Sequence, residues 1–261
     1  MNLELDGKVA VVTAASRGLG FACARAIAAE GARVAICSRS LERTNMAAAQ
    51  ITQETGTDVL GLDADITNPD DITRLIRTVT QELGPIDVLV INTGNPPAGR
   101  ILDTTTSDWE TGLSLCLRGP IALVRQVLPS MVERHFGRII LLTSAFACEA
   151  DETHVISSTI RAGVHVLAKS LAREYGPSGI RVNAIAPGYF NTPLLLEAAE
   201  RESAKNGTGV GELLATWAAY SPARRLGNPA ELGSFVAYLC SPAADFVHGA
   251  TIPVDGGFLR R

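Results

Sequence analysis

The chain has 261 residues, of which 46% are hydrophobic and 19% charged, and its formal net charge is −4. This length allows one large or two small domains with a substantial core. The slight negative charge gives no basic footprint for nucleic acid or an anionic membrane, and we expect no apolar run as long as a membrane span. Five scattered cysteines and four dispersed histidines predict no metal site. The thiols, and an amino terminus unlike a secretion signal, favour a cytoplasmic location.

Short runs rich in β-branched residues alternate with segments whose apolar residues recur every three or four positions. The runs are continuously apolar, which is typical of strands covered on both faces. Strands are predicted at 8–13, 33–37, 59–62, 86–91, 137–143, 181–185 and 250–254. Helices are predicted at 18–30, 40–55, 69–83, 107–134, 153–175 and 229–240. The alternation predicts an α/β fold in one Rossmann domain over residues 1–261, with a doubly wound parallel sheet of about seven strands and helices on both faces.

The least regular segment is 190–228, which is rich in Gly, Glu, Ala and Ser. It is long for a connection, so we expect one or two small helices that form a lid over a site. The leucines of this segment, together with Trp217 and Tyr220, predict that a bound substrate has an apolar portion.

The first predicted strand ends in "TAASRGLG", residues 13–20. A glycine-rich turn between a strand and a helix lets backbone N–H groups approach a pyrophosphate at the helix amino terminus. The alternative is a tight turn without a ligand. The residues predicted to bind a dinucleotide here are Thr13, Ser16, Arg17, Gly18, Leu19 and Gly20.

The end of the second predicted strand bears on the choice of cofactor. An acidic residue there would accept from the ribose 2′-hydroxyl of NAD(H), whereas this chain has Ser38 and Arg39. With Arg17, they suit charge-assisted pairing to a 2′-phosphate. NADP(H) is therefore favoured over NAD(H), unless both arginines are simply solvated surface residues.

Further motifs follow in order: "DI" at 65–66, "INTG" at 91–94, "PGYFNT" at 187–192 and "IPVDGG" at 252–257. With these motifs the chain resembles the short-chain dehydrogenase/reductase family over essentially its whole length, and 3-oxoacyl-[acyl-carrier-protein] reductases within it. It departs from the family motifs at Ala14, Ile91 and Thr93. The resemblance implies cofactor contacts from Asp65, Ile66, Asn92, Gly94, Pro187, Gly188 and Thr192.

The family's catalytic set is Asn, Ser, Tyr and Lys, and the aligned positions here hold Cys116, Ser144, Ser157 and Arg161. The resemblance thus implies a divergent subgroup in which SxxxR replaces YxxxK. Ser157 is too short and too weak an acid to act as the phenol does, but it could donate a hydrogen bond or hold a water. Arg161 lies on the same helix face and could bind the ribose, although it cannot relay a proton. Cys116 is expected to be a small buried residue, with a reactive thiol as the alternative.

Two functions remain open at this point. One is an NADP(H)-dependent oxidoreductase that interconverts a carbonyl and an alcohol, with Ser144, Ser157 and Arg161 as catalytic residues. The other is a noncatalytic NADP(H)-binding member that acts in assembly or sensing. The retained Ser144 and "PGYFNT" favour the enzyme, and the lost phenol favours the binder.

A stand-in for the missing phenol has two candidates. His154 could donate a proton, or be a surface residue at a helix start; Tyr189 could do so, or pack against the lid. The resemblance also implies a homotetramer or homodimer, assembled through the helices at 107–134 and 153–175 and the last strand.

Overall fold

A computed structural model describes residues 2–260. These residues form one parallel sheet of seven strands in the order β3-β2-β1-β4-β5-β6-β7. The strands are β1 (Val9–Val12), β2 (Arg33–Ser38), β3 (Val59–Asp63), β4 (Val88–Ile91), β5 (Gly137–Leu142), β6 (Ile180–Pro187) and β7 (Thr251–Val254). The predicted strands are therefore confirmed, with ends that differ by one or two residues.

The α-helices of the described residues are α1 (Gly18–Ala29), α2 (Leu41–Thr55), α3 (Pro69–Glu82), α4 (Thr106–Leu113), α5 (Gly119–Glu133), α6 (Val155–Tyr175), α7 (Pro193–Asn206), α8 (Val210–Tyr220) and α9 (Pro229–Cys240). Successive strand residues point to opposite faces, so Ala10 and Val12 pack with α1, α2 and α9. Val9 and Val11 pack with α3, α5 and α6. Helices therefore cover both faces, as the apolar strands predicted.

The helix predicted at 107–134 is not regular. It consists of α4, a π-helical turn at Ser114–Arg118, and α5. Pro120 explains the break, because proline has no N–H to donate to the carbonyl of Cys116 four residues earlier, and its ring clashes with that carbonyl. The turn therefore widens around Cys116.

The same helical run, Thr106–Glu133, corrects the expectation that no apolar run is as long as a membrane span. It has 28 residues and is long and apolar enough to cross a membrane by length and composition alone. Leu123, Val127 and Met131 lie inside the core between α5 and the sheet. A core helix meets the same criterion, and this run packs as one.

The segment 190–228 contains α7 and α8, which confirms the prediction of small helices there. Thr192 begins α7 as its N-cap, since its hydroxyl oxygen accepts a hydrogen bond from the Leu195 N–H at 3.2 Å. Phe190, before α7, is buried in the core beside α9 and pairs with Gly227. Both ends of the segment are thus anchored to the sheet domain.

The connection from β1 to α1 contains a strained residue. Ala14 has φ 47°, in the left-handed region that suits glycine, and the family motif has glycine at this position. Its carbonyl oxygen accepts a hydrogen bond from Asn92 Nδ2 at 3.1 Å, which holds the loop in this conformation. A non-glycine residue held there costs about 1–3 kcal/mol.

We predict that Ala14→Gly raises the free energy of unfolding by about 1 kcal/mol, since relief of this strain exceeds the entropy that glycine adds to the unfolded chain. Urea denaturation measures the change. The control is Ala49→Gly at an exposed position of α2, which should lower the free energy of unfolding by about 1 kcal/mol. A loss of stability in both variants would contradict the prediction.

Candidate active site

The predicted site residues gather at the carboxyl edge of the sheet. Thr13 follows β1, Ser38 ends β2, Asn92 follows β4, Ser144 lies two residues beyond β5, and Pro187 ends β6. The strand order reverses between β1 and β4, and such a switch point is where open α/β sheets bind their ligands. The sheet topology therefore brings the candidates to one crevice.

The amino terminus of α1 is open to a ligand. Its N-cap, Arg17, makes no side-chain capping hydrogen bond to the described residues, and Gly18 has φ 64°. A Cβ at Gly20 would lie 2.6 Å from the Ala14 oxygen and 2.8 Å from Asn92 Nδ2. The uncapped N–H groups and this close backbone packing fit a pyrophosphate.

Asn92 connects this loop to the centre of the sheet. The Thr13 hydroxyl donates to the Asn92 carbonyl at 2.7 Å and accepts from its N–H at 3.0 Å. The side-chain amide of Asn92 also donates to the Ala14 carbonyl. Asn92 therefore positions the glycine-rich loop, a contact that the motif alone did not predict.

The guanidinium of Arg17 is already paired in this structure. It forms a two-bond ion pair with Glu197 of α7, and the second bond measures 3.2 Å. Bonding to Arg17 lowers the pKa of Glu197, while the charges of Arg201 and Arg43 act in the same direction. Arg43 and Glu197 were missed by the sequence analysis, because neither belongs to a motif.

The end of β2 is only partly free. The Ser38 hydroxyl is 2.6 Å from Thr44 Oγ1 and 3.2 Å from the Ser40 carbonyl, so it stabilises the start of α2. Arg39 is exposed and makes no hydrogen bond to residues 2–260. Of these two predicted residues, Arg39 is the one that can receive a ligand without losing a protein contact.

The motif residues Asp65 and Ile66 have structural contacts. One carboxylate oxygen of Asp65 accepts from the N–H and hydroxyl of Thr67 at 2.9 and 2.7 Å. Ile66 is buried in the core beside α3. Their contact with an adenine ring stays a prediction.

The segment after β6 meets the glycine-rich loop. Gly188 N–H donates to the Val254 carbonyl at 3.0 Å, and Thr192 carbons lie 3.7 Å from the Cβ position at Gly18. Pro187, Gly188 and Thr192 therefore lie on the same crevice as the loop, and their contacts with a cofactor stay a prediction.

Ser144 starts a short 3₁₀ turn, Ala145–Ala147, and its oxygen accepts from the Phe146 N–H at 3.2 Å. The hydroxyl hydrogen is left free to donate. A cavity of ≈ 40 Å³ lies beside Ser144, and its other lining residues are Ala145, Phe146, Pro187, Gly188, Tyr189 and Phe258. Ser144 can therefore donate to an oxygen of a ligand in this cavity.

Arg161 is buried on α6, with 6% of its surface exposed. Its guanidinium donates to the carbonyls of Thr143 and Gly94, the latter at 2.9 Å, and to the Thr93 hydroxyl at 3.1 Å. Its Nε has no hydrogen-bond partner among the described residues. Arg161 thus ties the end of β5 to the segment after β4, so the ribose contact implied for it can use only its remaining N–H groups.

Ser157, one turn before Arg161 on the same helix, is 8% exposed. Cys116 is 2% exposed and packs against Ile156 and Ile160. The prediction that Cys116 is a small buried residue is confirmed.

Six aromatic rings form a cluster beside Ser144, which we term the aromatic cluster. Its members are Phe146, His154, Tyr189, Trp217, Tyr220 and Phe258. Tyr189 lies at its centre, stacked on Trp217 of α8 with ring centroids 5.8 Å apart. Burial raises the pKa of Tyr189, and Asp151 and Tyr220 add to the shift. Tyr189 packs against α8 in the segment 190–228, in keeping with one of the two expectations for it.

Comparison with known proteins places the chain in a family. A family model described as enoyl-(acyl carrier protein) reductase matches residues 13–259. The chain belongs to the short-chain dehydrogenase/reductase family. It is 30% identical over 257 residues to the 3-oxoacyl-[acyl-carrier-protein] reductase FabG of Aquifex aeolicus, covering 98% of this chain and 99% of the relative.

Two further family members extend the likeness. Versicolorin reductase 1 of Aspergillus parasiticus is 34% identical over 263 residues, with 99% of each chain covered. The L-sorbose reductase of Gluconobacter frateurii, solved with NADPH and L-sorbose, matches with a TM-score of 0.95 and 31% identity over 100% of each chain. The whole fold is therefore that of a family reductase.

We predict that Arg161→Lys, which introduces the family's own residue, lowers the free energy of unfolding by about 1–3 kcal/mol. A lysine ammonium cannot reproduce the planar fork that reaches three acceptors on two segments. Urea denaturation measures the loss. Arg77→Lys, at an exposed position of α3, is the control and should change stability by less than about 0.5 kcal/mol. Equal effects in the two variants would contradict the stabilising role of the Arg161 hydrogen bonds.

Proposed function

We propose that the chain is an NADP(H)-dependent oxidoreductase that interconverts a carbonyl and an alcohol, in the manner of 3-oxoacyl reductases but with an atypical active site. The observation that carries the proposal is the meeting of two features at one crevice. The uncapped start of α1 suits a dinucleotide phosphate, and the free hydroxyl hydrogen of Ser144 points to a role on a substrate oxygen.

The cofactor is proposed to lie across the glycine-rich loop. Thr13, Ser16, Arg17, Gly18, Leu19, Gly20, Asn92, Gly94, Pro187, Gly188 and Thr192 would hold it, with Asp65 and Ile66 at the adenine. When bound, the reduced nicotinamide supplies a hydride to the carbonyl carbon. Arg17, Arg39 and Arg43 would receive the 2′-phosphate with Ser38. Two of the solved family structures hold NADPH, an L-sorbose reductase and an actinorhodin polyketide ketoreductase.

The catalytic roles follow from the contacts of each side chain. Ser144 would donate a hydrogen bond from its hydroxyl to the substrate oxygen. Ser157 would donate a second hydrogen bond to that oxygen, directly or through a water. Arg161 would keep positive charge near the developing oxyanion while it holds the two strand ends. The aromatic cluster supports a substrate with an apolar portion, because three of its rings, Phe146, Tyr189 and Phe258, line the cavity beside Ser144.

Assembly and location are proposed on more general grounds. We propose a homotetramer or homodimer formed through α4–α6, where Val166 of α6 is 66% exposed. The free thiols, of which Cys23, Cys37, Cys116 and Cys240 are buried, support a reducing cytoplasm. The helices α7 and α8 are proposed as the lid over the site. Sedimentation of the purified chain measures the assembly.

We predict that NADPH is consumed with a carbonyl from a panel of 3-oxoacyl, polyol-type and aromatic ketones, and that Ser144→Ala lowers kcat by about 10²–10³, the usual effect of losing one oxyanion donor. Titration calorimetry on both proteins should give the same dissociation constant for NADPH. Tight NADPH binding without turnover on any carbonyl would favour the noncatalytic, sensing alternative instead. Failure to bind NADPH or NADH would refute both.

We predict that Glu197→Gln tightens NADPH binding by up to about fivefold, since Arg17 no longer has to leave an exposed ion pair that contributes about 0.2–1 kcal/mol. NADH, which lacks the 2′-phosphate, should gain less. Calorimetry on Glu200→Gln, an exposed carboxylate of the same helix, controls for the change in net charge. A gain of the same size for NADH would show that Arg17 does not meet the 2′-phosphate.

A further inference from the structure

The proposed reaction needs a proton on the substrate oxygen, and the position that holds the family's phenol holds Ser157. Alkyl hydroxyls such as those of Ser144 and Ser157 are far weaker acids than a phenol, and an arginine stays protonated throughout. Burial raises the pKa of Tyr189, which makes it a poorer proton donor than an ordinary phenol. These side chains are therefore poor proton donors, and the reaction calls for a better one beside the cavity.

His154 has a partner that fixes its proton. Its Nδ1 lies 3.0 Å from Asp151 Oδ1 and 2.9 Å from the Thr153 hydroxyl. The Thr153 hydroxyl has a single hydrogen, and it lies 2.5 Å from the same Asp151 oxygen. With that hydrogen on Asp151, Nδ1 must carry its own hydrogen to bond the carboxylate. The acid–base nitrogen is then Nε2, which has no hydrogen-bond partner among residues 2–260.

Asp151 is suited to orient the ring because it stays ionised. Burial opposes ionisation, but the hydrogen bonds from Thr153 and His154 outweigh it and lower the pKa of Asp151. Two charged residues on the neighbouring backbone, Arg100 and Glu152, pair with each other at 3.2 Å. Asp151 is therefore the carboxylate that forms a hydrogen bond with His154.

His154 packs on Phe146, one of the residues that line the Ser144 cavity. Its ring stacks on Phe146 with centroids 4.8 Å apart, and the Phe146 N–H bonds the Ser144 oxygen. The backbone on either side of His154 is fixed by Gly99, which donates to the Thr153 carbonyl at 2.7 Å and accepts from the Val155 N–H at 3.4 Å. His154 also begins α6, three residues before Ser157, so it lies one turn from the position of the missing phenol.

We propose that His154 is the catalytic acid and base of the proposed reaction, with Asp151 as its positioning residue. In reduction, the proton on Nε2 passes to the carbonyl oxygen while a hydride from the reduced nicotinamide adds to the carbonyl carbon. The π pair of the carbonyl forms the new O–H bond, and the neutral ring regains a proton from water, to which the 39% exposed side chain has access. This role rests on the proposed function. Asp151 orients the imidazole of His154 as the carboxylate does in other carboxylate–histidine pairs.

The test compares wild type, His154→Gln and Asp151→Asn on a carbonyl that wild type reduces. His154→Gln should lower kcat by about 10²–10⁴, the contribution of general acid–base catalysis, and Asp151→Asn by a smaller factor. The pH profile of kcat should differ between wild type and His154→Gln. His135→Gln, at an exposed histidine before β5 at the opposite edge of the sheet, should keep both rate and pH profile.

A second readout needs no turnover. Nitrogen-15 NMR of the ligand-free wild type should show the His154 ring with its hydrogen on Nδ1 when neutral, and Asp151→Asn should shift this balance. Titration calorimetry should give unchanged NADPH affinity in every variant. A wild type that binds NADPH but reduces no carbonyl overturns the proposed function together with this role. An active wild type whose His154→Gln variant keeps its rate and pH profile, or whose ring carries its hydrogen on Nε2, overturns this role alone.

Discussion

A buried guanidinium holds the two strand ends that frame the crevice. Arg161 donates hydrogen bonds to the Thr143 carbonyl after β5 and to Thr93 and Gly94 in the segment after β4. The loops that follow β4 and β5 carry Gly94 and Ser144, so the positions of both depend on this one side chain. The planar guanidinium of Arg161 reaches acceptors on both segments at once, which joins the two walls of the crevice.

The sheet and its helices could be predicted from the sequence because each strand is apolar on both faces and each helix has one apolar stripe. Val9 and Ala10 illustrate this, since adjacent residues enter opposite cores. The π-helical turn around Cys116 could not, because the apolar spacing of 107–134 continues through it and only Pro120 marks the break. The membrane-span length of this run was not expected, because exposed charged residues such as Arg118 and Arg125 interrupt its apolar residues in the linear sequence.

The sequence predicts where the candidate site residues lie in the fold, but not the contacts among them. Thr13, Ser144 and Pro187 follow from motif and strand end. The pairing of Arg17 with Glu197 joins residues 180 positions apart, and the hydrogen bond of Asn92 to Ala14 joins residues 78 apart. His154 is an instructive case. Its sequence context is that of a helix start, and only the structure brings Asp151, Thr153 and Phe146 around its ring.

The bridge from the glycine-rich loop to α7 is made of two side chains that water reaches, with 47% and 38% of their surfaces exposed. Dissolved ions screen such a contact over roughly 8 Å at physiological strength and about 30 Å in dilute buffer. The ion pair that joins α7 to the glycine-rich loop is thus weakened by added salt, whereas the sheet is held by apolar packing that salt does not weaken. Entry and departure of a large charged molecule at this crevice would then respond to ionic strength even though the fold itself does not.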